Sequence, residues 1–389
     1  MVEWKECTIS DIGIVIGGAT PSTKKNENYD GGMIPWITPK DLSSFSGRYI
    51  KQGERNITEI GLKSCSTQLL PAHSILFSSR APIGYIAIAQ NEVCTNQGFK
   101  SVVPNKEIDY LFLYYLLKYN TEKIEHMGSG TTFKEISGNT MKNIRVKVPV
   151  TIENQKKIAS ILDVIDSKIE KNMQINKNLL QQLHVLYLRL FCDSAMDTPL
   201  GDVVATTSGG TPSRKHDEYY SDSSICWVKS KELLGNYIHE TEEHINDLAI
   251  KKSSAKLLPE HSVLIAMYGA TVGAYGVISK PMTCNQAVCA LLCNENYPYT
   301  YLFQIAYESQ QKFINLAVGS AQQNISQVLI KQLNLHSDLD IIQKFHVLAL
   351  PMHKEIESLQ AENMRLSALR DNLLPKLMSG ELDVSNIDL

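Results

Sequence analysis

The chain has 389 residues, enough for two to three domains, and its 43% hydrophobic content can fill ordinary cores. A formal charge of −3 excludes a protein that holds nucleic acid by bulk basicity, so any DNA-binding face must be local and offset by acid elsewhere. No run of 18 apolar residues exists, and the opening MVEWKECTIS has no apolar signal-peptide core, so a cytoplasmic protein without a membrane partner is expected. The eight cysteines include no C-x-x-C pair. Cys284, Cys289 and Cys293 are spaced C-x4-C-x3-C with no histidine at finger spacing, which favours buried thiols in strands over zinc.

In chain order, the first feature is Gly17-Gly18-Ala19-Thr20-Pro21-Ser22, followed by Thr23, Lys24 and Lys25. It reads as a flexible, hydroxyl-rich, basic loop, a composition that suits phosphate contact and equally a solvated linker. Short β-leaning runs follow at Ser74 to Phe77 and Tyr85 to Ala89, joined by Ser78-Ser79-Arg80-Ala81-Pro82-Ile83-Gly84. Asp109 to Tyr119 reads as a buried helix, and Ile144 to Val148 as a strand stopped by Pro149.

Next comes Gln155 to Leu190, an uninterrupted amphipathic helix. Positions 158, 162, 165, 169, 172, 176, 179, 183, 186 and 190 step alternately by four and three, the seam of a coiled coil. Asn172 and Asn176 are polar seam positions. The same spacing returns from Phe345 to Leu377, with Asn363 near its middle and Arg370 also on the seam. Antiparallel, centred pairing puts Asn172 opposite Asn363, and the expected role of these asparagines is to fix register. Pro351 is expected to start or kink the second helix and Pro375 to kink its last turns. Each rod would be roughly 50 Å long, a ruler of roughly 15 base pairs.

Between the two helices the first part of the chain recurs, at an offset of 188 to 192. Gly209-Gly210-Thr211-Pro212-Ser213, with Arg214 and Lys215, returns the first loop. Trp36 returns as Trp227, and Gly47-Arg48-Tyr49-Ile50 as Gly235-Asn236-Tyr237-Ile238. The block around His73 returns around His261, beside β-leaning runs at Val263 to Met267 and Ala274 to Ile278. Both histidines read as structural, satisfying backbone groups. Asn96-Gln97 returns as Asn285-Gln286, which favours a turn-capping role over base reading. Tyr299 to Phe313 repeats the buried helix. The loop Gly128-Ser129-Gly130-Thr131-Thr132-Phe133-Lys134 corresponds to Gly319-Ser320-Ala321-Gln322-Gln323-Asn324, with divergent tips. Gln and Asn can pair with adenine and Lys or Arg with guanine, so two readers of different sequences fit, as does loop drift.

No Walker loop, G-x-G-x-x-G, Asn/Asp-Pro-Pro-Tyr loop, metal-dependent nuclease signature or G-x-S-x-G elbow is present, so a self-contained enzyme is not expected. The paired GG-(x)-TPS loops, SSRAPIG at 78–84, TNQGFK at 95–100, GS…IS at 128–137, QKKIASIL at 155–162 and LLPKLMSGEL at 373–382 together resemble the specificity subunit of type I restriction-modification enzymes over essentially the whole chain. The resemblance implies an α+β fold with a pseudo-twofold internal repeat: two homologous target-recognition domains, 1–150 and 196–338, joined by two long antiparallel coiled-coil helices, 151–195 and 339–389. It implies that the chain grips double-stranded DNA at a split, asymmetric target. It further implies docking of two methyltransferase subunits and often two restriction or motor subunits, which would carry S-adenosylmethionine, ATP and Mg2+. The chain itself would have no catalytic residue, no cofactor and no metal. The candidate DNA-contacting set is Thr20, Ser22, Lys24, Lys25, Arg80, Lys100, Ser129, Thr131, Thr132 and Lys134 in the first repeat. In the second it is Thr211, Ser213, Arg214, Lys215, Tyr268, Ser320, Gln322 and Gln323. The second repeat departs from the first at Met267-Tyr268-Gly269 and at Ala287, so an arginine contact in one need not exist in the other. A specificity protein of a related nuclease–methylase or other phage-defence system shares these features, and a protein scaffold is the remaining alternative.

Overall fold

A computed structural model describes residues 2–80, 82–129, 134–318 and 324–385. The chain forms two compact units, one of residues 1–170 with 365–389, the other of residues 171–364.

The first unit contains a five-stranded sheet in the order Gly13–Gly17, Lys100–Pro104, Ile75–Ser79, Ile83–Ala89, Tyr49–Ile50. A three-stranded sheet orders Arg55–Ile57, Ile34–Ile37 and Cys94–Thr95, and Trp4–Thr8 pairs antiparallel with Arg145–Pro149. The second unit repeats every one of these connections. Its five-stranded sheet runs Ala205–Ser208, Val288–Leu292, Val263–Ala266, Tyr275–Ile278, Asn236–Ile238. Its three-stranded sheet runs His244–Ile245, Ile225–Val228, Thr283–Cys284, and Met196–Pro199 pairs with Asn334–His336. The sequence repeat is thus a repeat of topology. The two hairpin-like runs in each half are antiparallel pairs, as their β-leaning composition and intervening turn predict.

Each five-stranded sheet is closed on one face by the buried helix. Tyr110–Tyr119 is capped by Asp109, whose carboxylate accepts from the Leu111 and Phe112 amides, and buries Phe112, Leu113 and Tyr115. Its counterpart, Tyr299–Val318, is longer than the pattern suggested. His73 and His261 are structural, though by ring contact. Both take a positive φ, and their rings stack on Tyr110 at 4.1 Å and Tyr299 at 4.3 Å, the first residue of each buried helix.

The first long helix runs Ile152–Phe191 and the second Leu339–Ser379. The second begins twelve residues before Pro351 and continues through both prolines. Pro351 therefore does not start it, because the preceding turns bury Ile342 and Phe345 in the core and hold the segment helical. Seam residues and their neighbours on the two helices also do more than face one another. Ile158, Leu162, Leu374 and Leu377 belong to the core that contains Phe77 and Tyr115. Leu183, Tyr187, Phe345, Ala349 and Ile356 belong to the core around Tyr301 and Phe313. A glutamine ties each helix start to its own globular part. Gln155 Nε2 donates to the Glu107 and Pro149 carbonyls, and Gln343 Nε2 to the Glu295 carbonyl.

In the second unit Asn172 is fully buried, and its Nδ2 donates to Asn363 Oδ1 at 2.9 Å and to Glu362 Oε2 at 2.6 Å. Its Oδ1 and that of Asn176 have no hydrogen-bond partner among the described residues. An unpaired buried acceptor costs on the order of 1 kcal/mol or more, so the pair is held at a cost in stability. Replacing both Asn172 and Asn363 by Leu is expected to raise the urea midpoint of this unit while allowing mixed association states, read by light scattering on a sizing column. A lower midpoint with one sharp state would remove the register-fixing role.

Candidate nucleic-acid interface

Four segments far apart in sequence converge beside the five-stranded sheet of the first unit. The backbone of Gly18 lies against the Thr95 and Asn96 carbonyls. Thr20 Oγ1 donates to Gln97 Oε1. Ser79 N–H donates to the Gly98 carbonyl at 2.7 Å, and Ile136 N–H to the Ser79 carbonyl at 2.9 Å. Lys100 Nζ and Arg80 Nη1 both approach the Glu135 carboxylate, at 3.5 and 3.9 Å. The first loop, the hairpin turn, the TNQGFK segment and the end of the 128–137 loop therefore form one surface. Asn96 Oδ1 accepts from the Gly98 amide and is a turn former, as Asn285 is for the Ala287 amide.

The same surface is built again in the second unit. Gly209 lies against the Cys284 and Asn285 carbonyls. Met267 N–H donates to the Ala287 carbonyl, and Ile325 N–H to the Met267 carbonyl at 2.9 Å. The chemistry at matching positions differs. A bridge pairs Arg80 with Glu135 in one unit and Tyr268 with Asn324 in the other. Lys100 faces Gly17 across the sheet, whereas buried Cys289 faces Ser208. One surface thus carries two cations gathered on a carboxylate, and the other an exposed phenol beside an amide.

The glycine loops are not flexible linkers, which corrects the compositional reading. Trp36 Nε1 donates to the Ala19 carbonyl and Tyr29 Oη to the Pro21 carbonyl. Trp227 Nε1 and Tyr220 Oη hold the Gly210 and Pro212 carbonyls in the same way. These aromatic donors were missed as part of the site, although the recurrence of Trp36 as Trp227 was a usable signal. They also show that Gly18 matches Gly209, one residue out of step with a simple overlay of the two Gly-Gly pairs.

Of the candidate contacts, Ser22, Lys24, Lys25, Ser129, Lys134, Thr211, Ser213, Lys215 and Tyr268 are exposed, and Thr20, Arg80 and Lys100 are half-buried. Lys25 reaches Glu27 at 3.7 Å. Arg214 is exposed but engaged: it pairs with Glu243 and lies 4.4 Å over the Tyr220 ring. Thr131, Thr132, Ser320, Gln322 and Gln323 lie outside the described residues. Hydroxyls, lysines, arginines and backbone amides on a rigid surface are donors suited to phosphates and base edges. Cys284 and Cys289 are buried thiols in separate strands, as their spacing suggests, and burial pushes each thiol up to about 12.

The same junction between globular part and helix is made with charge in one unit and without it in the other. Arg48 is buried, with Nη1 on Asp163 and Nη2 on Glu170 Oε2 at 2.9 Å and on Ser167 Oγ at 2.8 Å. Burial alone would lower the Arg48 guanidinium, but the Glu170 hydrogen bond, Tyr115 and Asp163 hold it above its ordinary value, so it stays charged. In the second unit Tyr237 Oη meets His353 Nδ1 at 2.8 Å, and the Tyr237 amide donates to Gln360 Oε1. Burial, with His346 and His261 nearby, pushes His353 down to about 3, so it is neutral. Among the described residues, no helix is long and apolar enough to cross a membrane.

Comparison with known proteins agrees with this geometry. The family model of the type I restriction modification DNA specificity domain matches twice, at residues 1–181 and 195–337. The type I restriction enzyme MjaIX specificity subunit of Methanocaldococcus jannaschii is 34% identical over 419 residues, covering 99% of this chain and 95% of that protein. The HindI specificity subunit of Haemophilus influenzae is 21% identical, covering 98% of this chain and all of its own length. The crystal structure of the S subunit of a type I restriction-modification system from M. genitalium has the same fold, with a TM-score of 0.62 at 15% identity, over 97% of this chain and 96% of that one. The chain belongs to the specificity subunits of type I restriction-modification enzymes, the non-catalytic members that supply DNA sequence recognition.

Proposed function

We propose that each compact unit reads one half of a bipartite, asymmetric DNA target through its converged loop surface, and that the long helices dock methyltransferase subunits. The observation that carries this is the surface itself, built twice by identical backbone contacts with different side chains at matching positions. Exposed Ser22, Lys24, Lys25, Ser213 and Lys215 suit phosphate contacts, which set register and give salt-sensitive affinity. Arg80, Lys100, Lys134 and Tyr268 stand where discrimination would be made. Docking is supported by apolar side chains left exposed on the helical segments of the second unit: Val185 at 62%, Leu188 at 51% and Val347 at 67%. Two methyltransferase subunits, and restriction subunits where present, would bring S-adenosylmethionine, ATP and Mg2+.

Single-molecule methylome sequencing of a host carrying this gene and its methyltransferase gene, with and without this gene, tests the reading. Methyladenine is expected at one two-part motif and lost on deletion. Exchanging residues 1–150 for those of a relative should change one half of the motif only. An unchanged pattern in cells that express the protein would overturn the proposal.

A further inference from the structure

The second unit holds a cluster that its repeat partner lacks. Cys226 lies in the strand Ile225–Val228 and faces His244 directly across an antiparallel pair. Glu240, four residues before His244, turns its carboxylate between them. Cys226 Sγ donates to Glu240 Oε1 at 2.9 Å, and His244 Nε2 lies 2.5 Å from the same oxygen. The three candidate ligand atoms all lie within 4.8 Å of one another. Cys226 is buried while His244 is half-buried and Glu240 exposed, so the cluster is shielded on the sulfur side and open to solvent on the other.

The repeat shows that the fold does not require these residues. The strand register that pairs Cys226 with His244 pairs Pro35 with Asn56 in the first unit, and the position matching Glu240 is Gln52. A sulfur, an imidazole and a carboxylate have thus replaced three non-ligating side chains at one place. Soft, borderline and hard donors together suit Zn2+ among the common divalent ions, with bonds of about 2.0 to 2.3 Å. Lys280 Nζ now sits 3.2 Å from Glu240 Oε2, but its side chain is 46% exposed and free to swing outward.

We propose that Cys226, Glu240 and His244 bind one Zn2+-like cation, with water completing a tetrahedral shell. Binding releases the Cys226 proton to solvent, leaving a thiolate, a neutral imidazole and a carboxylate as ligands. The cation would pin the segment 240–244 to the three-stranded sheet. That segment also carries Glu243, which pairs with both Arg214 and Lys229. Metal would therefore hold the acid that orients Arg214 beside the second glycine loop. The proposal concerns metal alone and stands whether or not that loop touches DNA.

The test uses the full-length chain. Titration with Co2+ is expected to give a thiolate-to-metal charge-transfer band saturating at one equivalent. Cys226→Ser should abolish that band, although seven other cysteines remain. His244→Asn, the residue of the first repeat, should weaken Zn2+ at least tenfold in competition with a chromophoric chelator. Zn2+ at 100 times its Kd should raise the thermal midpoint of this unit by about 5–10 °C in the wild type and not in Cys226→Ser. Both variants must match the metal-free wild type in circular dichroism. A Co2+ spectrum without the thiolate band, or one unchanged in Cys226→Ser, would overturn the proposal.

Discussion

Arg48→Ala is expected to destabilise the first compact unit by about 3 kcal/mol, the usual cost of removing one partner from a buried ion pair. The side chain is 6% exposed and answers two half-buried carboxylates, Asp163 at 35% and Glu170 at 32% exposure, which its loss would leave without their guanidinium. Calorimetry should show one transition falling while that of the second unit holds. The second repeat supplies the control, because it makes the matching junction through Tyr237, His353 and Gln360, with Asn236 at the position of Arg48. The triple variant Arg48→Asn, Asp163→His, Glu170→Gln copies that neutral chemistry and should recover more than half of the loss. A single-variant loss under about 1 kcal/mol would place the network with ordinary surface pairs.

The other large effect is expected at Gly18 and Gly209. A Cβ at either position would overlap two backbone carbonyl oxygens, those of residues 95 and 96 or 284 and 285. Backbone cannot yield as a flexible side chain can, so alanine should cost about 3 kcal/mol in each case. The loop would lift from the surface it helps to build. Gly18→Ala should weaken discrimination in one half of the methylated motif and Gly209→Ala in the other. Alanine tolerated at both positions, with the motif intact, would show that the close approach is dispensable.

Much of this architecture was written in the order of residues. Duplication was legible because equivalent residues keep their spacing over more than a hundred positions. The long helices were legible because a seam of period 3.5 leaves a trace in any one sequence. The facing of Asn172 and Asn363 followed from counting along two such seams. Tertiary structure decided what periodicity cannot carry. Arg48 stands in the sequence only as a position of the repeat, matched by Asn236, until Asp163 and Glu170 meet it from more than a hundred positions away. Arg80 and Lys100 read as free cations until Glu135 stands between them. The glycine loops read as flexible until Trp36 and Trp227 bind their carbonyls, and Cys226 and His244 show no motif spacing because a strand pair joins them. Local pattern reports which face of an element is apolar, whereas hydrogen bonds and ion pairs between distant segments depend on how the elements pack.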